Sequence, residues 1–524
     1  MRKVQKYFLN GLIIALASVL MRSLGVMFNA YITSKIGAEG MGLITLMGSV
    51  YGFAITLATS GINLAVVRLI SSTYGDTPDK NSYTSVGKIM KNAVSYALIF
   101  SLTASCLLLV SAKNIGILLL KDERTVLPLK ILAFTLPLIA ISSIINGYFC
   151  GVRRVYKNVV SQFAEQGIKI ASVSALLLVF SKDTEGGCIA VILGGAVAEL
   201  GSVIISATLY FFDRKIHHFS KNMAQKTGYV PKNPLQKHSF YDVFTLAFPV
   251  AVSAYVRSAL GTIEHLIIPM GLSKHGADIK NALASYGTLH GMVIPVIYFP
   301  CAILSAFASL LVPELSSAQS SGNKRQIEYI ASRVISVTLL FSLIISATLI
   351  SLSYELGIFI YNSHEAGYYI KLLAPLIPIM YLDIVTDTML KGLNEQLYSM
   401  RVNIADSVIS IILLLTLLPT FGIRGYVTAV FITELFNTSM SVIRLSNVTD
   451  LNAPLLKWVI KPLFSSIFSV FLTNLIPTLF PFGNLSSLIF KILFITLFYI
   501  TISLITGTIS NEDIHWAKSL VKGK

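Results

Sequence analysis

Apolar residues fall along this chain in long blocks parted by short polar stretches. The blocks cover 8–34, 41–68, 92–112, 126–150, 158–181 and 187–212, then 242–272, 282–312, 334–353, 366–390, 402–420 and 425–445. Two more follow at 455–480 and 485–508. A hydrocarbon core of about 30 Å takes about 20 apolar residues of helix to cross, so the pattern predicts about fourteen transmembrane helices with short connections. Pro, Gly and Ser inside several blocks suit packed membrane helices and mark bends.

Composition agrees with the pattern. The 524 residues are 54% hydrophobic and 13% charged, with a mean hydropathy of +0.73. Water-soluble domains carry about 25% charged residues. The reading is an all-α polytopic membrane protein. The start, "MRKVQKYFLNGLIIALASV", has the basic opening and A-x-A (15–17) of a secretory signal. Its apolar block runs on to residue 34 and has a relative deep in the chain, so it is expected to stay as the first helix.

The net charge of +16 is explained by topology. Of the 41 lysines and arginines, 27 fall on the side that holds the N-terminus and 9 on the other. Arg22, Lys169, Arg257, Lys371 and Lys491 lie within or near the spans. Basic loops mark the cytoplasmic side, and an even number of crossings places both termini there, in the cell membrane. Nucleic acid is therefore not expected as a partner. The basic loop 213–241, "DRKIHHFSKNMAQKTGYVPKNPLQKHSF" within it, is expected to attract anionic membrane lipids and fix orientation, with docking of another protein as the alternative. The four cysteines, Cys106, Cys150, Cys188 and Cys301, are scattered without CxxC spacing and read as small core residues. No metal set or cofactor motif is present in the sequence.

The two halves match each other. Arg22 and Asn29 recur as Arg257 and Glu264, each pair seven residues apart and so on nearly one helical face. "CGVRRVYKNVVSQFAEQ" (150–166) matches "KGLNEQLYSMRVNIADS" (391–407), aligning Gly151 with Gly392, Gln162 with Asn403 and Glu165 with Asp406. "AEL" at 198–200 matches "TEL" at 433–435. Six crossings return the chain to its starting side, so the expectation is two parallel-repeat six-helix lobes around a cavity that opens alternately to either face. The domains expected are a first lobe at 1–212, a cytoplasmic linker at 213–241, a second lobe at 242–450, and two extra helices with a tail at 451–524.

Particular stretches carry a family resemblance: "MRSLG" and "KIGAEGMGL" (35–43), "GINLAVVRLIS" (61–71), "LPLIAISSIINGYFCG…SQFAEQGIKI" (136–170) and "LAPLIPIMYLDIVTDTMLKGLN" (373–394). Over nearly its full length the chain resembles the stage V sporulation protein B-like branch of the polysaccharide exporters. That superfamily also holds the lipid II flippases and the multidrug and toxin extrusion antiporters. The resemblance implies two six-helix lobes, two extra C-terminal helices, transport of lipid-linked sugars, and a role in the spore cortex for the sporulation members. One departure stands out. Where the second half would match Arg68 it has Pro313-Glu314, so the cavity carries fewer fixed cations than the resemblance implies for lipid II flippases.

Arg22 and Arg257 lie about fifteen residues into their spans, where a charge costs at least about 2.5–3.5 kcal/mol and needs a polar cavity or a partner. A guanidinium matches phosphate by donating two parallel hydrogen bonds. The expected role is a pair of cavity arginines holding the pyrophosphate of a lipid-linked glycan, with Asn29, Glu264 and Arg68 as further contacts. The bland reading is an Arg257–Glu264 ion pair. Glu264, Asp383, Asp387, Glu165 and Asp406 are the candidates for coupling to a cation, H+ or Na+. For Glu165 the spacing to Lys169 favours a helical ion pair. Asp383 and Asp387, four apart with like charge, require a proton, a cation, or pairing with Lys371 or Arg401. Glu199 and Glu434 read first as interior polar anchors, and His265 and His290 as satisfied polar residues. No GxxxxGK[ST] loop occurs and no catalytic group gathers near an interface, so an enzyme is not expected. The expected function is a flippase for a lipid-linked oligosaccharide or peptidoglycan precursor. The alternatives are an ion-coupled antiporter for organic cations and a non-transporting scaffold for cell-wall synthesis.

Overall fold

A computed structural model describes residues 2–59, 61–74, 80–180, 183–224, 240–449, 456–475 and 485–509. Most of the expected linker (225–239) and the tail (510–524) lie outside the described residues. Lipid offers no partner to a backbone N–H or C=O, so a spanning chain must satisfy these groups internally. The described secondary structure is accordingly helical. In the first half α1 covers Arg2–Thr59, α2 Ile62–Tyr74, α3 Lys80–Asn114, α4 Val126–Gly151, α5 Tyr156–Phe180 and α6 Thr184–Ala224. In the second, α7 covers Phe240–Lys274, α8 Ile279–Tyr286, α9 Ile294–Tyr298, α10 Cys301–Ser320, α11 Lys324–Ser351 and α12 Ser353–Tyr361. Then come α13 (His364–Leu373), α14 (Ile377–Gly392), α15 (Gln396–Phe421) and α16 (Ile423–Thr449), and finally α17 (Lys461–Asn474) and α18 (Leu485–Ile505).

Eleven helices among the described residues are long and apolar enough to cross a membrane, or twelve with the bent pair Phe240–Phe248 and Val250–Lys274. Two of them, Ala17–Thr73 and Gln396–Thr449, have 57 and 54 residues, more than twice the roughly 20 of one crossing. Each contains a glycine at positive φ, Gly37 at 73° and Gly422 at 58°. Glycine adopts that conformation without a Cβ clash, and the helix turns there. Counted as two crossings apiece, these segments bring the total to the fourteen expected. The apolar block 282–312 proved to be divided: α8, a π-helical turn (Gly287–Val293), α9, a break at Phe299-Pro300, and α10.

Backbone geometry repeats between the halves at a spacing of 241. The described non-glycine residues with positive φ are Lys121 (53°), Arg153 (61°), Asn362 (51°) and Asn394 (60°). They form two pairs at that spacing, Lys121 with Asn362 and Arg153 with Asn394. Side chains follow. Ser105 Oγ donates to the Ala133 carbonyl at 2.8 Å, and Ser346 Oγ to the Ala374 carbonyl at 2.8 Å. The helix-capping residues Asp122 and Ser363 correspond in the same way.

The chain packs as two compact units, Lys35–Leu266 and Met1–Ser34 with Ile267–Lys524. The start of α1 thus belongs with the second-half helices, and most of α7 with the first-half ones. In the first unit, Ile62, Val66 and Ile70 of α2 join Ile89 and Tyr96 of α3, Ile144 and Phe149 of α4, and Val243 and Ala247 of α7 in one buried core.

Candidate functional site

Arg22 lies in the second unit. It is exposed, and its Nη1 donates to the Tyr298 carbonyl at 3.0 Å. That carbonyl is available because the helix breaks between α9 and α10: Pro300 follows, and the Ala302 N–H turns to Phe299 at 3.2 Å. The preceding carbonyl, Ile297, accepts from the Tyr381 hydroxyl at 2.5 Å. Tyr381 and Cys301 are both within electrostatic reach of Arg22. Asn29, two turns along α1, keeps its carbonyl bonded to Thr33 at 2.8 Å.

Two residues beyond Tyr381, Asp383 opens a polar network across α14, α15 and α16. Asn437 Nδ2 reaches Asp383 Oδ2 at 3.5 Å and Asn403 Oδ1 at 3.2 Å. Asn403 in turn donates to the Ser399 carbonyl at 2.9 Å, and the Ser399 hydroxyl donates to Asp387. Glu434 lies within electrostatic reach of both Asp383 and Asp406, whose Oδ1 atoms are buried. The like charges on α14 are resolved by a neighbour not anticipated from the spacing. Asp387 pairs with Lys391 at 2.6 Å, whereas Lys371 lies over the Tyr354 ring at 5.6 Å. His290, as expected, is satisfied, with Nε2 3.2 Å from the Tyr426 hydroxyl.

In the first unit the matched carboxylates also face one another, with a different balance. Glu165 Oε2 accepts from Ser202 of α6 at 2.8 Å. It does not form the expected ion pair with Lys169, because its side chain is turned to the closely packed α6 rather than along its own helix. Glu199 lies within electrostatic reach of both Glu165 and Lys169. At the repeat spacing, Asp383 and Asp387 correspond to Ser142 and Asn146, and Lys169 to Ser410. One carboxylate pair therefore has a cation beside it, and the other has a third acid.

Arg257 is exposed and has no hydrogen bond or ion pair among the described residues. The Arg257–Glu264 pair is thus not formed: two helical turns part them by about 10 Å along the axis. One Glu264 oxygen is buried. Arg68, near the end of α2, is exposed and likewise unpaired among the described residues.

Sequence reasoning missed the polar staples at the helix ends. Asp213, with a side chain 3% exposed, receives Tyr148 at 2.9 Å together with Arg154 and Lys157. In the second half, Glu395 pairs with Arg444 at 2.8 and 3.1 Å. Arg154 and Glu395 occupy matched positions after the positive-φ residues, so the staple recurs with its charges exchanged. Arg124 joins Glu39 at 2.7 Å and Asp122 at 2.6 Å. Lys491 of α18 pairs with Glu355 of α12 at 2.6 Å. The repeat offset found in the sequence was the one available signal for the exchanged pair.

Repeated six-helix halves, with an arginine deep in α1 and clustered carboxylates inside each unit, define a multi-pass membrane transport protein. The comparisons make the class specific. The model of the polysaccharide biosynthesis protein family matches residues 8–319, more than half of the chain, and the chain belongs to that family. The MatE model matches residues 273–416. Stage V sporulation protein B of Bacillus subtilis (strain 168) is 25% identical over 430 residues, covering 81% of this chain and 80% of its own length. Lipid II flippase MurJ of the same organism is 25% identical over 437 residues, covering 80% and 78%. Among solved structures, lipid II flippase MurJ in an inward closed conformation aligns with TM-score 0.67 and 14% identity, covering 94% of this chain and 98% of that one. An inward-facing multidrug resistance transporter of the MATE family gives TM-score 0.63 and 14% identity, covering 84% and 99%.

Proposed function

We propose that the protein is a flippase that carries a lipid-linked oligosaccharide or peptidoglycan precursor to the outer leaflet by alternating access, for spore cortex or cell-wall polysaccharide synthesis. The observation that carries this reading is Arg22. A guanidinium has five N–H donors, and this one, about fifteen residues into a span, gives a single hydrogen bond among the described residues, to a backbone carbonyl. The remaining donors suit a phosphate. Arg257 and Arg68, unpaired among the described residues, are the other headgroup contacts, with Asn29 and Glu264 on the matching helical faces. Sequence relatives named as a lipid II flippase and a stage V sporulation protein support the cargo class.

Coupling is assigned to the second-half acids. Asp383 and Asp406 lie within electrostatic reach of Glu434, and mutual repulsion among the three carboxylates favours uptake of a proton or Na+. Asp387 is already paired with Lys391 and Glu165 with Ser202, which leaves them in supporting roles. Both termini and the linker 213–241 are assigned to the cytoplasmic side, where the linker's basic residues meet anionic lipid.

The test is depletion of the protein followed by analysis of the membrane lipids. A lipid-linked glycan should accumulate, and purified protein in vesicles should move that same lipid to the opposite leaflet. The MatE match favours one second reading, an antiporter for organic cations. Cation-dependent efflux of ethidium by those vesicles, with no accumulated lipid in depleted cells, would replace the flippase reading with that one.

A further inference from the structure

Both carbonyls at the α9–α10 break are held by side chains from other elements of the same unit. In an unbroken helix the Cys301 N–H would bond the Ile297 carbonyl, and the Ala302 N–H the Tyr298 carbonyl. Instead the Tyr381 hydroxyl donates to Ile297 at 2.5 Å, and the Cys301 N–H points at the same hydroxyl oxygen. The hydroxyl is thus inserted into the ladder. One residue on, the Ala302 N–H bonds Phe299, and the Tyr298 carbonyl is left to Arg22 at 3.0 Å. Tyr381 is fully buried. It sits on α14 two residues before Asp383, and α14 is tied to α16 through Thr438 Oγ1 on the Ile379 carbonyl at 3.2 Å.

We propose that Tyr381 is a positioning residue for the headgroup arginine: its hydroxyl holds the α9–α10 ladder open, so that the Tyr298 carbonyl keeps Arg22 until a pyrophosphate takes it. A carbonyl at membrane depth needs a partner. When the anion takes the guanidinium, the Ala302 N–H replaces it on Tyr298 and the α9–α10 ladder closes. Closing expels the Tyr381 hydroxyl, which shifts α14 and, with it, Asp383. Cargo binding is thereby felt at the acid assigned to the coupling cation. The proposal rests on the reading of Arg22 as a headgroup ligand.

The test uses the full chain in lipid nanodiscs, with farnesyl pyrophosphate as the probe and hydrogen exchange followed over residues 294–304. In the wild type, the probe should slow exchange at Cys301, Ala302 and Ile303 by at least about threefold, as bonds in a closed ladder open less often. Tyr381→Phe keeps the ring and removes the wedge. Its exchange should be slow without the probe and unchanged by it. Its apparent affinity for the probe should rise severalfold, because the carbonyl no longer competes for Arg22. Translocation should show both KM and kcat lowered, whereas a purely structural role would reduce the amount of folded protein and leave KM alone. Pro300→Ala, which restores an N–H at the break, should act in the same direction and serves if Tyr381→Phe does not fold. Arg22→Gln separates the two readings. If it binds the probe as the wild type does, Arg22 is not a headgroup ligand and both fail. If it loses binding while Tyr381→Phe and Pro300→Ala exchange and respond like the wild type, the headgroup reading stands and the latch is overturned.

Discussion

Arg257 is the clearest case of a residue whose depth was legible and whose surroundings were not. A charge fifteen residues into an apolar block marks itself in the sequence, and a carboxylate seven residues on offered a ready partner. The structure leaves the arginine unpaired among the described residues. Glu264→Gln should therefore not strand it. A double-mutant cycle on Arg257→Gln and Glu264→Gln, read by thermal unfolding in detergent, should be additive within about 0.5 kcal/mol, as for residues without a shared partner. A coupling above about 1 kcal/mol would show that the pair forms after all. Arg257→Lys tests what the charge is for. Lysine keeps the charge and loses the planar fork, so translocation by folded protein should fall about tenfold, the worth of one charged hydrogen bond. Translocation at the wild-type rate would reduce Arg257 to a positive charge. Arg22 shows the same limit of sequence reading from the other side. Its partner is a carbonyl 276 positions away, exposed by a helix break for which Pro300 is the only written sign.

At the scale of elements, hydropathy located the helices because burial in lipid makes nearly every spanning residue apolar. It was silent where a helix breaks without turning polar, which is why the block 282–312 read as one span and proved to be several pieces. The repeat was legible at Gly151/Gly392 and Glu165/Asp406, and the structure extends it to paired backbone angles and capping residues. Where the repeated chemistry changes sign, no single-sequence pattern reports it: Arg154–Asp213 in one half corresponds to Glu395–Arg444 in the other. The two staples differ in exposure, and their removal should differ accordingly. Asp213→Ala leaves Arg154 and Lys157 without their buried partner and should cost about 3 kcal/mol, measured as the unfolding midpoint of the purified protein. Arg444→Ala, at a more exposed pair, should cost clearly less. Glu395→Arg with Arg444→Glu should restore the folded yield that either single reversal lowers, because the position accepts either order of charges. A double reversal as poorly folded as the singles would mean that the surrounding backbone, and not the pairing, selects the order.

At the scale of the whole molecule, direction of transport depends on orientation, and orientation follows from where the basic residues lie. With the proposed cytoplasmic N-terminus, fourteen alternating crossings put the α10–α11 turn (321–323) inside and the α12–α13 turn (362–363) outside. Ser321 and His364 are both exposed, so each accepts a cysteine without opening the core. The four native cysteines are first replaced, since Cys106 is exposed and would add signal of its own. In intact cells, His364→Cys should react with a membrane-impermeant maleimide, and Ser321→Cys should react only after permeabilisation. The charge rule and the crossing count enter this result separately. If both positions label from outside, an even number of crossings lies between them and the count is wrong. If the pattern is reversed, the count survives and the charge rule fails, and the precursor would then be carried toward the leaflet on which it is made. A flippase built on cytoplasmic synthesis requires the first pattern, because the headgroup must enter from the side that carries the basic loops.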